Sequence, residues 1–183
     1  SPDTRQKLAM AGQSLVSGDG AARVVQRILA YPSFQQGLLA VRPAAFEDLI
    51  PMWELTNHPS VRAHSFNRHL IPLEDHQTWF SAKLSSNETR FWVIEVGGIF
   101  AGVIRYDRRD QNSAELSFSV VPWLRKRGIG TELLSSTKVP ACRELAVRRL
   151  FGRVIISNQS SVNAFEKAGY RKRKELKQEK GHR

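Results

Sequence analysis

Between a run of alternating apolar residues and a long amphipathic stretch stand Arg125, Lys126, Arg127, Gly128, Ile129, Gly130 and Thr131, an R-x-x-G-x-G segment suited to holding a phosphate or diphosphate. A helix that starts at such a glycine leaves its first backbone N–H groups without intrahelical partners, and the helix dipole adds partial positive charge at the same spot. Gly128 and Gly130 withdraw side chains where a diphosphate must approach the backbone, and Arg125 to Arg127 add charge at the rim. The competing reading is an ordinary glycine-containing turn with solvated arginines, since the spacing matches neither the Walker loop nor the six-position dinucleotide fingerprint. The single cysteine, Cys142, has no base beside it in a recognisable motif, so a covalent cysteine route is not expected. The five histidines are too scattered for metal-ligand spacing, and no metal is expected.

Such a loop needs a strand that ends before it and a helix that starts after it. SAELSFSVVP alternates its apolar positions until Pro122, and a helix is expected from Gly128 to about Val147, with Pro140 kinking or breaking it. Upstream, LLAVRP reads as a short strand and AAFEDLIPMWELTN as an amphipathic helix whose Leu49, Met52, Trp53 and Leu55 can face a core. The polar loop HPSVRAHSFNRHLIP follows, then the helix LEDHQTWFSAKL, then strands RFWVIEV and IFAGVIRYD joined by a turn at Gly97 and Gly98. Downstream come a strand RLFGRVIIS, a helix SSVNAFEKA and a final strand from Gly169. Strands alternating with helices around an antiparallel middle predict an α/β (α+β) domain, a mixed sheet with helices on its faces. Before all of this, residues 5–16 and 21–30 space apolar side chains three and four apart around SGDG, predicting a helical hairpin, and residues 31–37 read as a linker. The expected division is therefore a 1–36 extension and a 37–183 domain.

A chain of 183 residues, 41% hydrophobic and 25% charged, is sized for one globular domain with an extension, and no apolar run approaches bilayer length. The first ten residues show neither a signal peptide nor an initiating Met, so an excised fragment and a reducing, cytoplasmic location are expected. The net charge of +11 raises the question of nucleic acid. Much of it lies in the tail RKRKELKQEKGHR, which reads as a solvated end, and another share in Arg125 to Arg127; with no aromatic-interleaved basic motif, neither a nucleic-acid nor a membrane partner is expected.

The R-x-x-G-x-G segment resembles the acetyl-coenzyme A pyrophosphate loop of the GNAT superfamily, which follows the fourth strand of that fold. Asn158, Ser161, Lys167, Gly169 and Tyr170 likewise reproduce the family's N-x-x-S-x-x-x-x-x-K-x-G-F/Y signature, and the resemblance covers about Leu38 to Leu176. It implies a mostly antiparallel twisted sheet whose parallel fourth and fifth strands splay apart around the pantetheine arm, with a bulge in the fourth strand. Phe118, Ser119 and Val120 are then expected to line the arm, a backbone N–H there polarising the thioester carbonyl. Arg125 to Thr131 are expected to hold the diphosphate, and Asn158 and Ser161 to contact the cofactor from the fifth strand and the helix after it. Asn158 reads equally well as the cap of the helix that follows.

The same resemblance implies direct acetyl transfer to an amine, with Glu115 in the position of a general base, although an exposed strand glutamate balancing an arginine is the plain alternative. The family's usual acid is a Tyr where this chain has Phe165, so no general acid is assigned. His58, Arg62, Ser65, Asn67, His76 and Trp79 resemble the acceptor segment of acetyltransferases acting on nucleotide-linked amino sugars of the pseudaminic-acid type, enzymes of cell-surface polysaccharide synthesis. Arg can grip a diphosphate, His and Asn can bond hydroxyls, and Trp can stack on a sugar or base. Residues 8–29 resemble the closing helices of nucleotide-sugar hydrolase or glycosyltransferase-like domains, implying a fusion to such a domain. Two alternatives remain open here: an acetyltransferase for protein N-termini or ribosomal proteins, and a binding module that keeps the cofactor pocket without catalysis. Exposed strands in this fold often pair into homodimers, but no residue marks an interface.

Overall fold

The computed structural model describes residues 39–173; the helical hairpin and linker expected in residues 1–37, and the basic tail from residue 174, lie outside them. Five strands form one sheet in the order β1-β2-β3-β4-β5: β1 is Leu39–Pro43, β2 Thr89–Val96, β3 Ile99–Asp110, β4 Ser113–Val120 and β5 Arg149–Gly152. The first four pair antiparallel, and β4 pairs parallel to β5. The β2–β3 turn works because Gly97 and Gly98 both take positive φ, 60° and 77°, which a two-residue hairpin with matching twist requires.

Three helices follow β1: α1 Leu49–Asn57, entered through the 3-10 turn Phe46–Asp48, α2 Pro59–Arg62, and α3 Leu73–Leu84. α4 is Ile129–Glu144 and α5 is Gln159–Lys167. Helices cover both faces, as strand alternation on β3 makes plain. Tyr106 bonds Thr137 of α4 at 2.8 Å, whereas its neighbours Arg105 and Asp107 point the other way, toward Trp79 and Lys83 of α3. Val93, Ile94, Ile104, Phe80, Leu133 and Leu134 are fully buried between these layers. None of the described helices is long and apolar enough to cross a membrane.

Four expectations are corrected. Of the kink or break expected at Pro140 the break does not occur: α4 continues to Glu144, its last turns held by buried Ala141 and by Leu145 just beyond the helix. β5 stops at Gly152 rather than Ser157, because the chain there no longer has a ladder partner on β4. No strand begins at Gly169 among the described residues, since RKRK offers no apolar alternation to pair. The β3–β4 register is unbroken from Gly102–Val120 to Arg108–Ala114, so the irregularity lies between Arg108 and Asp110 and not in β4 beside Phe118.

Candidate functional site

β4 passes through the 3-10 turn Pro122–Leu124 into the loop singled out from sequence. Lys126 and Gly128 have φ of 61° and 84°, and Gly128 is the N-cap of α4 with no side-chain cap, so the first N–H groups of α4 are left for a ligand. A Cβ placed on Gly128 would meet nothing within 4 Å: the space before the helix is open. Gly130 differs. Its added Cβ would stand 3.0 Å from the Phe118 ring and 3.7 Å from Ala164, so its smallness lets α4 close on β4 and α5 rather than admitting a diphosphate. Gly128→Ala is therefore expected to cost about 1 kcal/mol through its left-handed backbone alone, and Gly130→Val about 2 kcal/mol through overpacking; urea unfolding separates the two. Lys126 and Arg127 are exposed beside the opening, but the Arg125 side chain turns inward, its Nε donating to Val120 O at 3.0 Å and Nη1 to Ser60 Oγ at 2.8 Å.

The opening itself comes from unequal strands. β4 pairs with β5 only over Ser113 to Leu116, and Phe118 to Val120 have no β5 beside them. Val121 N donates to Ala101 O at 2.9 Å, which makes Ala101 and Val121 a hydrogen-bonded pair. Alternation then turns the N–H and C=O of Ser119 toward β3 and those of Phe118 and Val120 into the gap. The candidate donors narrow to the N–H groups of Phe118 and Val120. β5 ends where the Phe165 ring covers Gly152, leaving an added Cβ there only 2.5 Å from it. Phe118, Phe165 and Tyr170 meet edge to face with centroids 5.6 and 5.2 Å apart. Asn158 lies beyond the strand as the N-cap of α5, its Oδ1 accepting from Ser161 N at 3.2 Å.

On the other face of β4, Glu115 accepts from Arg153 Nε at 2.6 Å and from Arg109 Nε at 2.8 Å, one arginine on each carboxylate oxygen. Burial pushes this carboxyl up, but the two guanidinium groups outweigh it and hold it below the usual carboxylate range. Arg153 also lies over the Phe66 ring at 5.4 Å, linking the strand to the loop between α2 and α3. Directly opposite Glu115 is Asp107, which binds Lys83 at 2.7 Å, Arg105 at 2.7 Å and the Thr89 hydroxyl at 3.0 Å.

The loop from Asn57 to Pro72 is tied by its own polar groups. Asn57 exchanges two bonds with the backbone of Ile71, and Trp53 adds a third to Ile71 O. His58 Nδ1 serves Ser60, Arg62 Nη1 reaches the carbonyls of Asn67 and His69, Ser65 Oγ donates to Val61 O, and Asn67 Oδ1 accepts from His69 N. His76 is buried against Phe80 and Trp79, its Nε2 without a partner, and desolvation lowers its pKa. Trp79 is half-buried with Arg105 at 5.0 Å over its ring. Of the residues expected at the acceptor, His58, Arg62, Ser65 and Asn67 spend much of their bonding capacity on shaping the loop, while His76 and Trp79 pack on α3 against Phe80, Phe91 and Arg105.

Residues 39–171 match the model of the acetyltransferase (GNAT) domain family. The chain belongs to that family. No curated protein matches it. Among solved structures, spermidine N-acetyltransferase from Vibrio cholerae, with CoA and spermine, is 17% identical with a TM-score of 0.66 over 73% of this chain and 81% of that one. A putative acetyltransferase from Salmonella typhimurium with acetyl-CoA is 20% identical with a TM-score of 0.64, covering 73% and 79%. An aminoglycoside acetyltransferase with coenzyme A is 16% identical with a TM-score of 0.63, covering 74% and 85%. At such identities the likeness is one of fold.

A GNAT enzyme draws its acyl group from acetyl-CoA, which supplies an activated thioester. The residues present fit it: open space before α4, uncapped N–H groups, and the Phe118 and Val120 N–H groups that face the gap beyond the β5 ladder. Phe165 offers no hydroxyl, and burial pushes the Tyr170 hydroxyl's pKa up, so neither is suited to donate a proton. Sequence reasoning missed Arg109, Arg153 and Phe66, which only sheet pairing and the loop's return bring to Glu115.

Proposed function

We propose that the protein transfers acetyl from acetyl-CoA to the amine of a nucleotide-linked amino sugar, by direct attack in a ternary complex. The observation that carries this reading is charge. The Asn57 to Pro72 segment contains Arg62 and Arg68 and no acidic residue, and Arg109 and Arg153 flank the Glu115 carboxylate. Spermidine and aminoglycosides, the acceptors named for the similar structures, are polycations that such a surface repels. A diphosphate is matched by it.

In this reading Lys126, Arg127 and the N–H groups that open α4, from Ile129 to Thr131, hold the cofactor diphosphate. Phe118 or Val120 N–H polarises the thioester carbonyl, and Glu115 receives the amine proton, directly or through water. Asn158 and Ser161 border the arm. No side chain need protonate the departing thiol, which is far more acidic than an alcohol. His58, Arg62, Ser65, Asn67, His76 and Trp79 shape the acceptor side. The reading carries with it a cytoplasmic location, where both substrates are made.

The test is a turnover screen of nucleotide-linked amino sugars, the same sugars without nucleotide, spermidine, an aminoglycoside and peptides. The nucleotide-linked sugars are expected to exceed spermidine by about a hundredfold in kcat/KM, equivalent to about 2.7 kcal/mol. Acetylation of peptides alone would replace the reading with a protein acetyltransferase. Cofactor binding without transfer to any acceptor would replace it with a binding module.

A further inference from the structure

Arg125 opens the R-x-x-G-x-G segment, but its side chain does not extend toward the open space before α4. It is half-buried and spans two elements. Nε holds Val120 O at 3.0 Å and Nη1 holds Ser60 Oγ at 2.8 Å, across 65 residues of sequence. Val120 O is the last carbonyl in the row of β4 groups that faces the gap, so whatever fixes it fixes the end of the cofactor channel. Ser60 lies on α2, within the acceptor-side segment. Its N–H donates to His58 Nδ1 at 3.2 Å, so that nitrogen bears a lone pair, and the Ser60 hydroxyl at 2.9 Å must donate to it as well. The hydroxyl is thereby oriented to accept from Arg125. A guanidinium fork can serve two acceptors at fixed angles, which a lysine ammonium on a flexible stem does not reproduce.

We propose that Arg125 and Ser60 are positioning residues forming a strut between the acceptor-side loop and the end of β4, so that coenzyme A affinity depends on a hydroxyl outside the cofactor loop. The strut rests on the reading that this loop and gap bind coenzyme A. It makes the two halves of the site assemble together: ordering the loop around Ser60 holds Arg125 on Val120 O, and a cofactor settling along β4 favours the ordered loop in return.

The experiment is calorimetric titration of coenzyme A into the unaltered chain, Ser60→Ala, Ser60→Thr, Arg125→Lys and the Ser60→Ala/Arg125→Lys double variant, with a melting curve for each. Ser60→Ala is expected to weaken binding about tenfold, as for loss of one charge-assisted hydrogen bond. Ser60→Thr, which keeps the hydroxyl, should stay within about twofold. Arg125→Lys should lose at least as much as Ser60→Ala, and the double variant no more than the weaker single, because both break one connection. A purely structural role would shift melting while leaving coenzyme A affinity unmoved. Affinity of Ser60→Ala within about twofold of the unaltered chain, Ser60→Thr as weak as Ser60→Ala, or losses that add in the double variant would each overturn the strut, the last by making Arg125 an independent phosphate ligand. No binding by the unaltered chain would instead overturn the cofactor reading on which the strut rests.

Discussion

In a Glu115→Gln variant the turnover rate is expected to fall about a hundredfold near neutral pH while coenzyme A affinity stays nearly constant. Gln keeps the shape and removes the basicity. The fold should survive, because the arginines released, Arg109 and Arg153, are 48% and 53% exposed and can be rehydrated. The pH dependence identifies the role. Since Arg153 and Arg109 outweigh the effect of burial and hold Glu115 below the ordinary carboxylate range, it is ionised throughout the neutral region, and any acid limb it causes lies below that range. A limb nearer neutrality belongs to the acceptor amine. The variant's defect should therefore shrink as pH rises, because an amine that arrives deprotonated has less need of a base. A sugar amine beside electron-withdrawing oxygens should show that rescue at lower pH than a lysine. A pH–rate profile of kcat/KM for both proteins measures this, and full rate at every pH would move proton removal to water or to the His58 to His76 segment.

What sequence made legible was local. LEDHQTWFSAKL and α3 coincide at Leu73–Leu84, and Gly97 and Gly98 turn the hairpin, because helix periodicity and left-handed glycines are properties of short windows. The R-x-x-G-x-G loop stands where its strand and helix placed it, and the capping preference of Asn158 was readable from its type. The rest depended on contacts between distant segments. RVIIS is apolar enough for a strand, but no ladder partner accompanies β5 past Gly152, where Phe165 packs. The direction of the Arg125 guanidinium is invisible in a motif that specifies only charge. Likewise, no spacing rule places Arg109 and Arg153 on one carboxylate, since that juxtaposition is made by β4 pairing with β3 on one side and β5 on the other.

Asp107→Ala is expected to produce the largest loss of stability, about 3 kcal/mol, because removing one partner of a buried ionic cluster strands the others. Asp107 is 5% exposed and is the shared counter-ion of Lys83 and Arg105, with the Thr89 hydroxyl bonded to the oxygen that Lys83 takes. Lys83 belongs to α3 and Arg105 packs on Trp79 of the same helix, so the carboxylate fastens α3 to the sheet. For a chain of this size such a loss lowers the melting temperature by about 10 °C. Acid should do gradually what the substitution does at once. Burial pushes the Asp107 carboxyl up, but Arg105 and Lys83 outweigh it and hold it below its ordinary value, so its stabilisation is present above the unfolded pKa, about 4, and is lost as pH falls through the folded one. His76 acts in a separate window. Desolvation depresses its pKa, so stability falls as pH drops from about 6.5 toward its folded value, where the unfolded chain takes up the proton first. Urea unfolding from pH 7 to pH 3 should show both slopes in the unaltered chain and, in Asp107→Ala, the His76 slope with a shallower acid slope, since Asp48 and Glu115, also held below the ordinary carboxylate range by their arginines, still lose stabilisation there. A variant within about 1 kcal/mol of the unaltered chain at pH 7, or one whose acid slope is undiminished, would show that Arg105 and Lys83 are rehydrated when the carboxylate is gone and that α3 is held by Phe80 and its apolar neighbours instead.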